Sequence, residues 1–444
     1  MFRVYDVPAA RQAILKRQPL DDMTVPPSLL EGIQQIFGEA LTPAQAVDRI
    51  LADVRARGDK ALQEWTARLD GKASETLAVS AEAMQAALAN LPAEQRAALE
   101  LAAERVRRFH QAQPLTSWMT QSMGGTLGQL MRPIQRVGLY IPAGSAPLPS
   151  SVLMSAIPAQ VAGVKEIVLV APPKRGTGEI APIILAAAAL VGIREVYTIG
   201  GAQAIAALAY GTESIRPVDK IFGPGNLFVT LAKRKVFGVV GIDGLAGPTE
   251  TVVIADDGAR PAWVAADLLA QAEHDELAAA ILLSPSRDLI EKVQVEIGRQ
   301  LEQRTRADVI EASLANRSGA VLTRDLAEAV QLANEYAPEH LCLAVRDPWL
   351  LADQVTAAGG IFMGEHSFEV LGDYVAGPSH VMPTGGSARF ASPLNVLDFV
   401  HIVSLVALDP ATTRQIAPAA ATIALAEGLD AHAAAALLRC EEGA

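Results

Sequence analysis

Residues 269–276, LAQAEHDE, place a glutamine and a histidine three positions apart near the predicted end of a helix. Residues at i and i+3 lie on one helical face, with Cβ atoms about 5–6 Å apart, so Gln271 and His274 can point at one ligand. Asp267 shares this face and adds a carboxylate. A histidine that caps a helix or pairs within the core fits the same pattern. This stretch alone leaves both interpretations open.

A second acid–histidine combination stands in EYAPEHLCL, where Glu339 and His340 are adjacent at the predicted start of a strand. Both groups can titrate near neutral pH once they are buried, which suits a pair that moves protons on one substrate. A loop carboxylate followed by an ordinary strand histidine is the alternative. The pair does not exclude it.

Two more stretches carry an acid and a histidine. GDYVAGPSH holds Asp373 and His380 in a glycine-rich segment, which we predict to be a loop that can close on a small ligand. AEGLDAH holds Glu427 and His432 near the C-terminus. A polar surface turn and a solvated helix end explain these two stretches equally well. Two histidines, one carboxylate and one amide would suit zinc, but ligands from such distant segments cannot be established by spacing.

Composition narrows the class of protein. Half of the 444 residues are hydrophobic and 19% are charged, which is typical of a folded enzyme and not of a disordered chain. The net charge of -12 argues against nucleic acid as a partner. Two cysteines, Cys342 and Cys440, cannot build a disulfide framework, and the N-terminus has no apolar signal core. The apolar run at 180–193 is too short to span a bilayer. We therefore expect a cytoplasmic protein without membrane contact.

The elements that must position these residues follow from hydrophobic periodicity. The first third of the chain is predicted to be helical, whereas strands and helices alternate from about residue 133, which indicates βαβ units and a parallel sheet. TIGGAQA and FGPGN follow two of the strands and could hold a pyrophosphate at helix N-termini, although G-x-G-x-x-G is absent and simple turns explain both loops. A further α/β region begins near residue 257. We expect the tail from about residue 394 to be mostly helical.

Long motifs in a fixed order give the chain a family resemblance. It is similar to the histidinol dehydrogenase family over nearly its whole length. The motifs that carry the resemblance are ILADVRARGDKAL, VGLYIPAGSAPLPSSVLMSAIPAQVAGV, GGAQAIAALAYGT, DKIFGPGN, AGPTETVVIAD, DLLAQAEHD, EYAPEHL, GDYVAGPSHVMPTGGSARFASPLNVLDF and AEGLDAHA.

The resemblance implies an α/β fold with two Rossmann-like parallel-sheet domains, as in aldehyde and histidinol dehydrogenases, and small helical terminal segments. It implies an N-terminal segment at 1–32 and a first, catalytic and zinc-binding domain formed by 33–136 and 250–390. The second domain, at 137–249, would bind NAD. A small helical domain at 391–444 would reach the partner subunit of a homodimer.

The activity implied by the family is the four-electron oxidation of L-histidinol to L-histidine through histidinal, the last steps of histidine biosynthesis, with two NAD and one zinc ion per subunit. The catalytic pair would be Glu339 and His340. His340 would take the alcohol proton, and Glu339 would act as base for the water that adds to the aldehyde. The zinc would serve as a template for the substrate. The implied zinc ligands are Gln271, His274, Asp373 and His432.

The remaining contacts are carried over in the same way. The implied substrate contacts are Thr249, Gln271, His274, His340, Asp373, His380, Glu427 and His432. The implied NAD contacts are Tyr140, Gln203 and Asn226. In related enzymes the C-terminal segment enters the partner's active site, so Glu427 and His432 would complete the pocket of the other subunit.

Three alternatives remain open. The loop Pro142–Gly144 and Pro393 depart from residues common in the family, which leaves room for a paralogue that oxidises another small alcohol with NAD. A thiol-dependent aldehyde dehydrogenase would use Cys342 as its nucleophile, although a thiol in a buried strand is usually inert. A non-catalytic relative would bind zinc or a nucleotide without turnover.

Overall fold

The computed structural model describes residues 2–17, 25–74, 76–143 and 147–441, and two parallel β-sheets dominate its architecture. The predicted α/β class is confirmed. Gly144 of the loop discussed above and residues 18–24 of the N-terminal segment lie outside the described residues.

The N-terminal third is mainly helical, as predicted. Its elements are β1 (Val4–Asp6), α1 (Val7–Gln12), α2 (Pro27–Phe37), α3 (Pro43–Arg57), α4 (Asp59–Asp70), α5 (Ala81–Ala89) and α6 (Ala93–Gln111). Helix α3 shows why the sequence folds locally. The Thr42 side chain accepts from the Gln45 N–H while the Gln45 side chain accepts from the Thr42 N–H, which satisfies two helix N-terminal donors.

The middle of the chain builds a five-stranded parallel sheet in the order β6-β5-β4-β7-β8. Strands β2 (Trp118–Thr120) and β3 (Thr126–Pro133) precede it. The sheet region comprises β4 (Arg136–Tyr140), α7 (Pro149–Ala162), β5 (Glu166–Ala171), α8 (Pro182–Leu190), β6 (Glu195–Thr198), α9 (Gly201–Tyr210), β7 (Lys220–Phe222), α10 (Leu227–Val236) and β8 (Gly241–Ile242).

Helices α3 to α6 cover this five-stranded sheet. Val47 of α3 belongs to the same buried cluster as Ile205 of α9, and Val106 of α6 to the same cluster as Ile157 of α7. The resemblance predicts a domain that joins residues 33–136 with residues 250–390, and this division stays a prediction. The apolar faces of α3 to α6 are buried against the five-stranded sheet and its helices.

A six-stranded parallel sheet, in the order β1-β11-β10-β9-β12-β13, forms the other half of the molecule. Its elements are β9 (Glu250–Ala255), α11 (Pro261–Ala272), β10 (Ala279–Ser284), α12 (Arg287–Leu301), α13 (Ala307–Asn316), β11 (Gly319–Leu322), α14 (Leu326–Tyr336), β12 (His340–Ala344), α15 (Pro348–Ala352), β13 (Gly360–Met363) and α16 (Glu369–Tyr374). Strand β1 from the N-terminus pairs with β11 at one edge. Strands β9, β10 and β12 are buried along their whole length, as parallel strands covered on both faces must be.

The C-terminal region is less helical than predicted. It contains β14 (Val400–Ala407), α17 (Pro410–Ala426) and α18 (Asp430–Glu441), with short 3-10 turns at Ser387–Arg389 and Val396–Phe399. Strand β14 pairs antiparallel with β3 and forms a three-stranded sheet with β2. The segment FVHIVSLVAL is rich in β-branched residues, which favours a strand where a partner edge is available. Among the described residues, no helix is long and apolar enough to cross a membrane.

Candidate functional site

The acid–histidine pair of β12 meets the start of β9 at the amino-terminal edge of the six-stranded sheet. In the parallel register His340 pairs with Thr251, so Glu339 lies beside Glu250. The Glu339 carboxylate accepts hydrogen bonds from the Thr249 hydroxyl, at 2.6 Å, and from the Glu250 N–H, at 3.1 Å. Open parallel sheets usually bind ligands at the carboxyl ends of their strands. These polar side chains gather at the opposite edge.

Thr249 connects this pair to the last turn of α11. The Gln271 side-chain N–H donates to the Thr249 hydroxyl at 3.1 Å, and Gln271 is fully buried. His274 lies two residues after the end of α11, and its N–H donates to the Gln271 carbonyl at 3.3 Å, which continues the helical turn. The spacing argument therefore correctly placed Gln271 and His274 one turn apart. The His274 side chain reaches the surface of the isolated chain.

Helix α16 brings carboxylates to the same place. His274, Glu369 and Asp373 each offer one ligand atom, and these atoms all lie within 4.8 Å of one another. Asp373 was expected in a glycine-rich loop, but it lies inside α16, because GDYV completes a helical turn before Gly377. Glu369, four residues earlier on the same helical face, was not identified from the sequence.

Burial dominates the pKa shifts of the carboxylates in and beside this cluster. Burial, strengthened by the neighbouring Glu369, raises the pKa of Asp373 to about 7. Burial also raises the pKa of Glu369 to about 7, and that of Asp267 to about 7. A bound divalent cation would stabilise the ionised forms of all three. The imidazole nitrogen and carboxylate oxygens are donors that zinc accepts, so the residues present fit a zinc ion.

His340 is buried between these carboxylates, with its two ring nitrogens in different surroundings. Its Nδ1 lies 3.5 Å from the Thr251 hydroxyl, 3.7 Å from Glu369 Oε1 and 3.8 Å from Glu339 Oε2. Its Nε2 lies 3.8 Å from Asp373 Oδ1 and has no hydrogen-bond partner in the described part of the chain. Burial lowers the pKa of His340, although Asp373 opposes this, so the ring is neutral at pH 7 and can accept a proton at Nε2.

Glu339 binds a proton more tightly than an exposed carboxylate does. Burial raises its pKa well above the usual value of 4.5, and the hydrogen bonds from Thr249 and Glu250 oppose the rise. A carboxylate with a raised pKa is a stronger base than an exposed one. The adjacent pair thus combines a basic imidazole nitrogen with a basic carboxylate.

His380, predicted to contact substrate, lies behind Asp373 and joins the two halves of the molecule. Its Nδ1 lies 2.8 Å from the Asp373 carbonyl oxygen, and its Nε2 lies 3.2 Å from the Ser151 hydroxyl of α7. Burial lowers the pKa of His380 to about 4, so it remains a neutral hydrogen-bonding group. Ser151 had no signal in the sequence that distinguished it from other helix N-terminal serines.

The structure does not bring every predicted ligand together within one chain. Glu427 ends α17 and His432 lies in the first turn of α18, and both are exposed. The described cluster of His274, Glu369 and Asp373 does not include His432. The surrounding arm exposes large apolar side chains, namely Ile402, Val406, Ile416, Ile423, Leu425 and Leu438.

A separate cavity of about 480 Å³ lies at the carboxyl edge of the five-stranded sheet. Tyr140 ends β4 and Asn226 follows β7, so they stand on either side of the point where the strand order reverses, the usual position of a nucleotide. Gly223 has a φ of 112°, and an added Cβ would lie 2.1 Å from the Tyr140 carbonyl oxygen. Only glycine permits this approach of the two strand ends.

All three residues predicted to contact NAD line this cavity. Both polar atoms of the Gln203 amide are buried and find no hydrogen-bond partner among the residues described. Asp70 also lines the cavity, and one of its carboxylate oxygens is likewise buried without a hydrogen-bond partner among the described residues. Tyr140 accepts a hydrogen bond from the Gly201 N–H at 3.2 Å, and burial raises its pKa to about 12, so it stays a neutral hydroxyl. Unsatisfied buried groups of this kind fit a polar ligand such as a dinucleotide.

Cys342, the nucleophile required by the thiol alternative, is buried in β12. Burial, reinforced by the nearby Glu369, raises the pKa of its thiol well above the usual 9.0. The reactive thiolate is therefore scarce at neutral pH, which argues against a cysteine nucleophile.

Comparison with known proteins gives one family. The family model described as histidinol dehydrogenase matches residues 39–440. A histidinol dehydrogenase of Deinococcus radiodurans is 55% identical over 429 residues, covering 96% of this chain and 97% of its own. One of Chromobacterium violaceum is 52% identical over 415 residues, covering 92% and 95%. The crystal structure of histidinol dehydrogenase from Elizabethkingia anophelis superposes with a TM-score of 0.90 at 35% identity, covering 99% of this chain and 98% of that one.

Proposed function

The chain belongs to the histidinol dehydrogenase family, and we propose that it oxidises L-histidinol to L-histidine with two NAD and one zinc ion per subunit. One observation supports this activity in addition to the chain's membership of the family. The neutral His340 ring turns its Nε2, which has no hydrogen-bond partner among the described residues, towards Asp373, next to the Glu339 carboxyl group, at a cluster suited to zinc. Two bases at one cation-binding position are what two successive oxidations at one carbon require.

Gln271, His274 and Asp373 of one chain would hold the zinc, with His432 supplied by a second chain. When bound, the ion would orient the imidazole and amino nitrogens of histidinol and thereby fix its alcohol carbon. Asp267 and Glu369 surround these ligands with further carboxylates, which favours a divalent cation over a neutral occupant.

The first oxidation uses His340. Its Nε2 takes the proton of the substrate hydroxyl while the carbon-bound hydrogen leaves as hydride. The ring is neutral beforehand because burial lowers its pKa. Asp373, 3.8 Å from this nitrogen, then stabilises the imidazolium that forms.

The second oxidation uses Glu339. Its carboxylate removes a proton from the water that adds to histidinal, and the resulting hydrate loses its second hydride. Thr249 holds the carboxylate in place by donating to it, and the same hydroxyl accepts from Gln271. One pocket can therefore retain the reactive aldehyde between the two steps.

The cavity of the five-stranded sheet would receive NAD, which is the hydride acceptor in both steps. Gln203 offers the unsatisfied amide, and Tyr140 and Asn226 flank the strand ends. Tyr140 and Ala143 line this cavity, and Ser151, near the start of the next helix in the chain, contacts His380 beside Asp373. This connection supports the view that the cavity and the acid–histidine site serve one reaction.

The homodimer is part of the proposal. Glu427 and His432 are exposed on a C-terminal arm with an apolar surface, which suits insertion into a second copy. Each active site would then contain His274 and Asp373 from one subunit and His432 from the other. An isolated monomer should bind zinc weakly.

The substrate and metal can be tested together. Purified protein is assayed with L-histidinol and NAD before and after chelation, and after zinc is restored. L-alaninol, an amino alcohol without an imidazole, is the control substrate. The proposal predicts turnover of L-histidinol that chelation removes and zinc restores, with at least 10²-fold lower kcat/KM for L-alaninol. Turnover of another alcohol in preference would identify a paralogue, and zinc binding without any turnover would identify a non-catalytic relative.

A further inference from the structure

Glu369 is a buried carboxylate that takes no part in the proton transfers described above. It starts α16, is only 2% exposed, and lies between His340 on one side and the remaining carboxylates on the other. One oxygen, Oε2, accepts a hydrogen bond from the Thr251 hydroxyl. The other, Oε1, lies 3.7 Å from His340 Nδ1.

The surroundings of His340 define which nitrogen can react. Near its Nδ1 lie oxygen atoms of Thr251, Glu339 and Glu369, and the backbone of Glu250 also hydrogen-bonds to the ring. The Thr251 hydroxyl donates its hydrogen to Glu369, so it can only accept from His340, which favours a proton on Nδ1. The opposite nitrogen, Nε2, faces Asp373 and finds no hydrogen-bond partner within the described ranges of the chain.

We propose that Glu369 is a positioning residue, which holds His340 with its proton on Nδ1 and so keeps Nε2 available to take the substrate proton. Thr251 fixes the Glu369 carboxylate for this purpose. The inference rests on the proposed function, because it assigns a partner to the base of the first oxidation. The 3.7 Å separation is slightly longer than a hydrogen bond, and such contacts commonly shorten when substrate binds.

The competing role for Glu369 is that of a zinc ligand, since it belongs to the cluster with His274 and Asp373. The positions of its oxygens favour the positioning role. Oε2 is already bonded to Thr251, and Oε1 is close to the His340 ring. The zinc ligands that the family resemblance implies, Gln271, His274, Asp373 and His432, also do not include Glu369.

The informative variant is Glu369→Gln. The Thr251 hydroxyl would still donate to the amide oxygen, which leaves the NH₂ group directed at His340 Nδ1. Because an amide N–H donates, it favours a bare Nδ1 and moves the ring proton to Nε2, the wrong nitrogen for a base. The protein keeps its shape and loses one charge.

The zinc-loaded dimer is used for the measurements. For Glu369→Gln we expect kcat for histidinol to fall by about 10²- to 10⁴-fold, as expected when a catalytic histidine holds the wrong tautomer, with KM and zinc content within about twofold of wild type. Thr251→Val removes the hydroxyl and should lower kcat by about 10-fold, and the double variant should be no worse than Glu369→Gln. Glu365→Gln, a matched change four residues earlier, should keep kcat within about twofold.

Nitrogen-15 NMR of histidine-labelled protein supplies a readout that a general structural defect would not produce. The His340 resonances, assigned with His340→Gln, should report a protonated Nδ1 in wild type and a protonated Nε2 in Glu369→Gln. An unchanged tautomer or unchanged kcat would overturn the inference, and so would loss of zinc, which would make Glu369 a ligand. If wild type itself does not oxidise histidinol, the proposed function fails, while the tautomer measurement still decides the role of Glu369.

Discussion

Replacing Glu339 with glutamine should separate the two oxidations. Glu339 Oε2 accepts from the Thr249 hydroxyl at 2.6 Å and from the Glu250 N–H at 3.1 Å, both at a buried position. The amide oxygen of glutamine can accept both bonds, so the free energy of unfolding should change by less than about 1 kcal/mol. Alanine would leave two buried donors unsatisfied, at about 1–3 kcal/mol each, and would confuse folding with chemistry.

The kinetic effect of Glu339→Gln follows from the loss of a base. An amide cannot take the proton of the water that adds to histidinal, so the second step should slow by about 10²- to 10⁴-fold, or about 3–5 kcal/mol in activation free energy. The first oxidation uses His340 and should proceed within about tenfold of the wild-type rate. Zinc content should not change, because Glu339 is outside the ligand cluster.

Rapid mixing with limiting histidinol measures both steps in one trace. The Glu339→Gln variant should produce one NADH per histidinol quickly and the second only slowly, and it should oxidise added histidinal slowly. Glu335→Gln, on the exposed face of α14, is the matched control and should behave as wild type. A second NADH at the wild-type rate from the glutamine variant would refute the assignment of Glu339 as the base.

Other variants test the remaining parts of the account. Cys342→Ser should retain kcat within about threefold and full zinc content, because a buried thiol with a raised pKa has no catalytic task, and loss of turnover would revive the thiol mechanism. Gln203→Leu should raise the KM for NAD about tenfold or more, with little effect on the KM for histidinol. The same change should increase the free energy of unfolding by about 1 kcal/mol, because it removes two polar atoms that find no hydrogen-bond partner among the described residues. Unchanged NAD kinetics would remove Gln203 from the cofactor site. Inactive His432→Ala and His340→Ala proteins, unfolded and refolded together, should regain about a quarter of wild-type activity by forming mixed dimers, and no recovery would contradict a shared site. Burial raises the pKa of Glu195, but its hydrogen bonds to Arg136 outweigh this effect and leave the pKa below its usual value of 4.5. The ionised Glu195 therefore stabilises the fold above pH 4.5, and this stability is lost as the pH falls through the lowered pKa. Arg136→Met should lower the free energy of unfolding at pH 7 by about 1–3 kcal/mol and should flatten this loss at acidic pH in denaturant titrations.

The site shows which features local sequence patterns can predict. Gln271 and His274 were predicted as one site because helical periodicity acts over three residues, and α11 does end at this point. Glu339 and His340 were predicted as a pair because they are adjacent in the chain, and β12 does begin at His340. Glu369 had a usable signal, since it lies four residues before Asp373, but the stretch was interpreted as a loop and the helical spacing was not applied.

Contacts between distant strands could not be read from the pattern. Thr251 faces His340 because β9 and β12 are neighbours in the sheet although β10 and β11 lie between them in the chain. Strand order in a parallel sheet is set by the packing of crossover helices, which leaves no local trace. For the same reason the sequence did not predict that β14 pairs with β3, which lies far away in the chain. Nor did it predict that α3 to α6 pack on the five-stranded sheet.

The most direct test of the central claim is the number of NADH molecules formed per L-histidinol when the zinc-loaded protein consumes a limiting amount of substrate. The account predicts two, with histidine as the product, because His340 and Glu339 serve successive steps in one pocket. One NADH per histidinol, with histidinal released, would contradict the claim that a single site completes both oxidations.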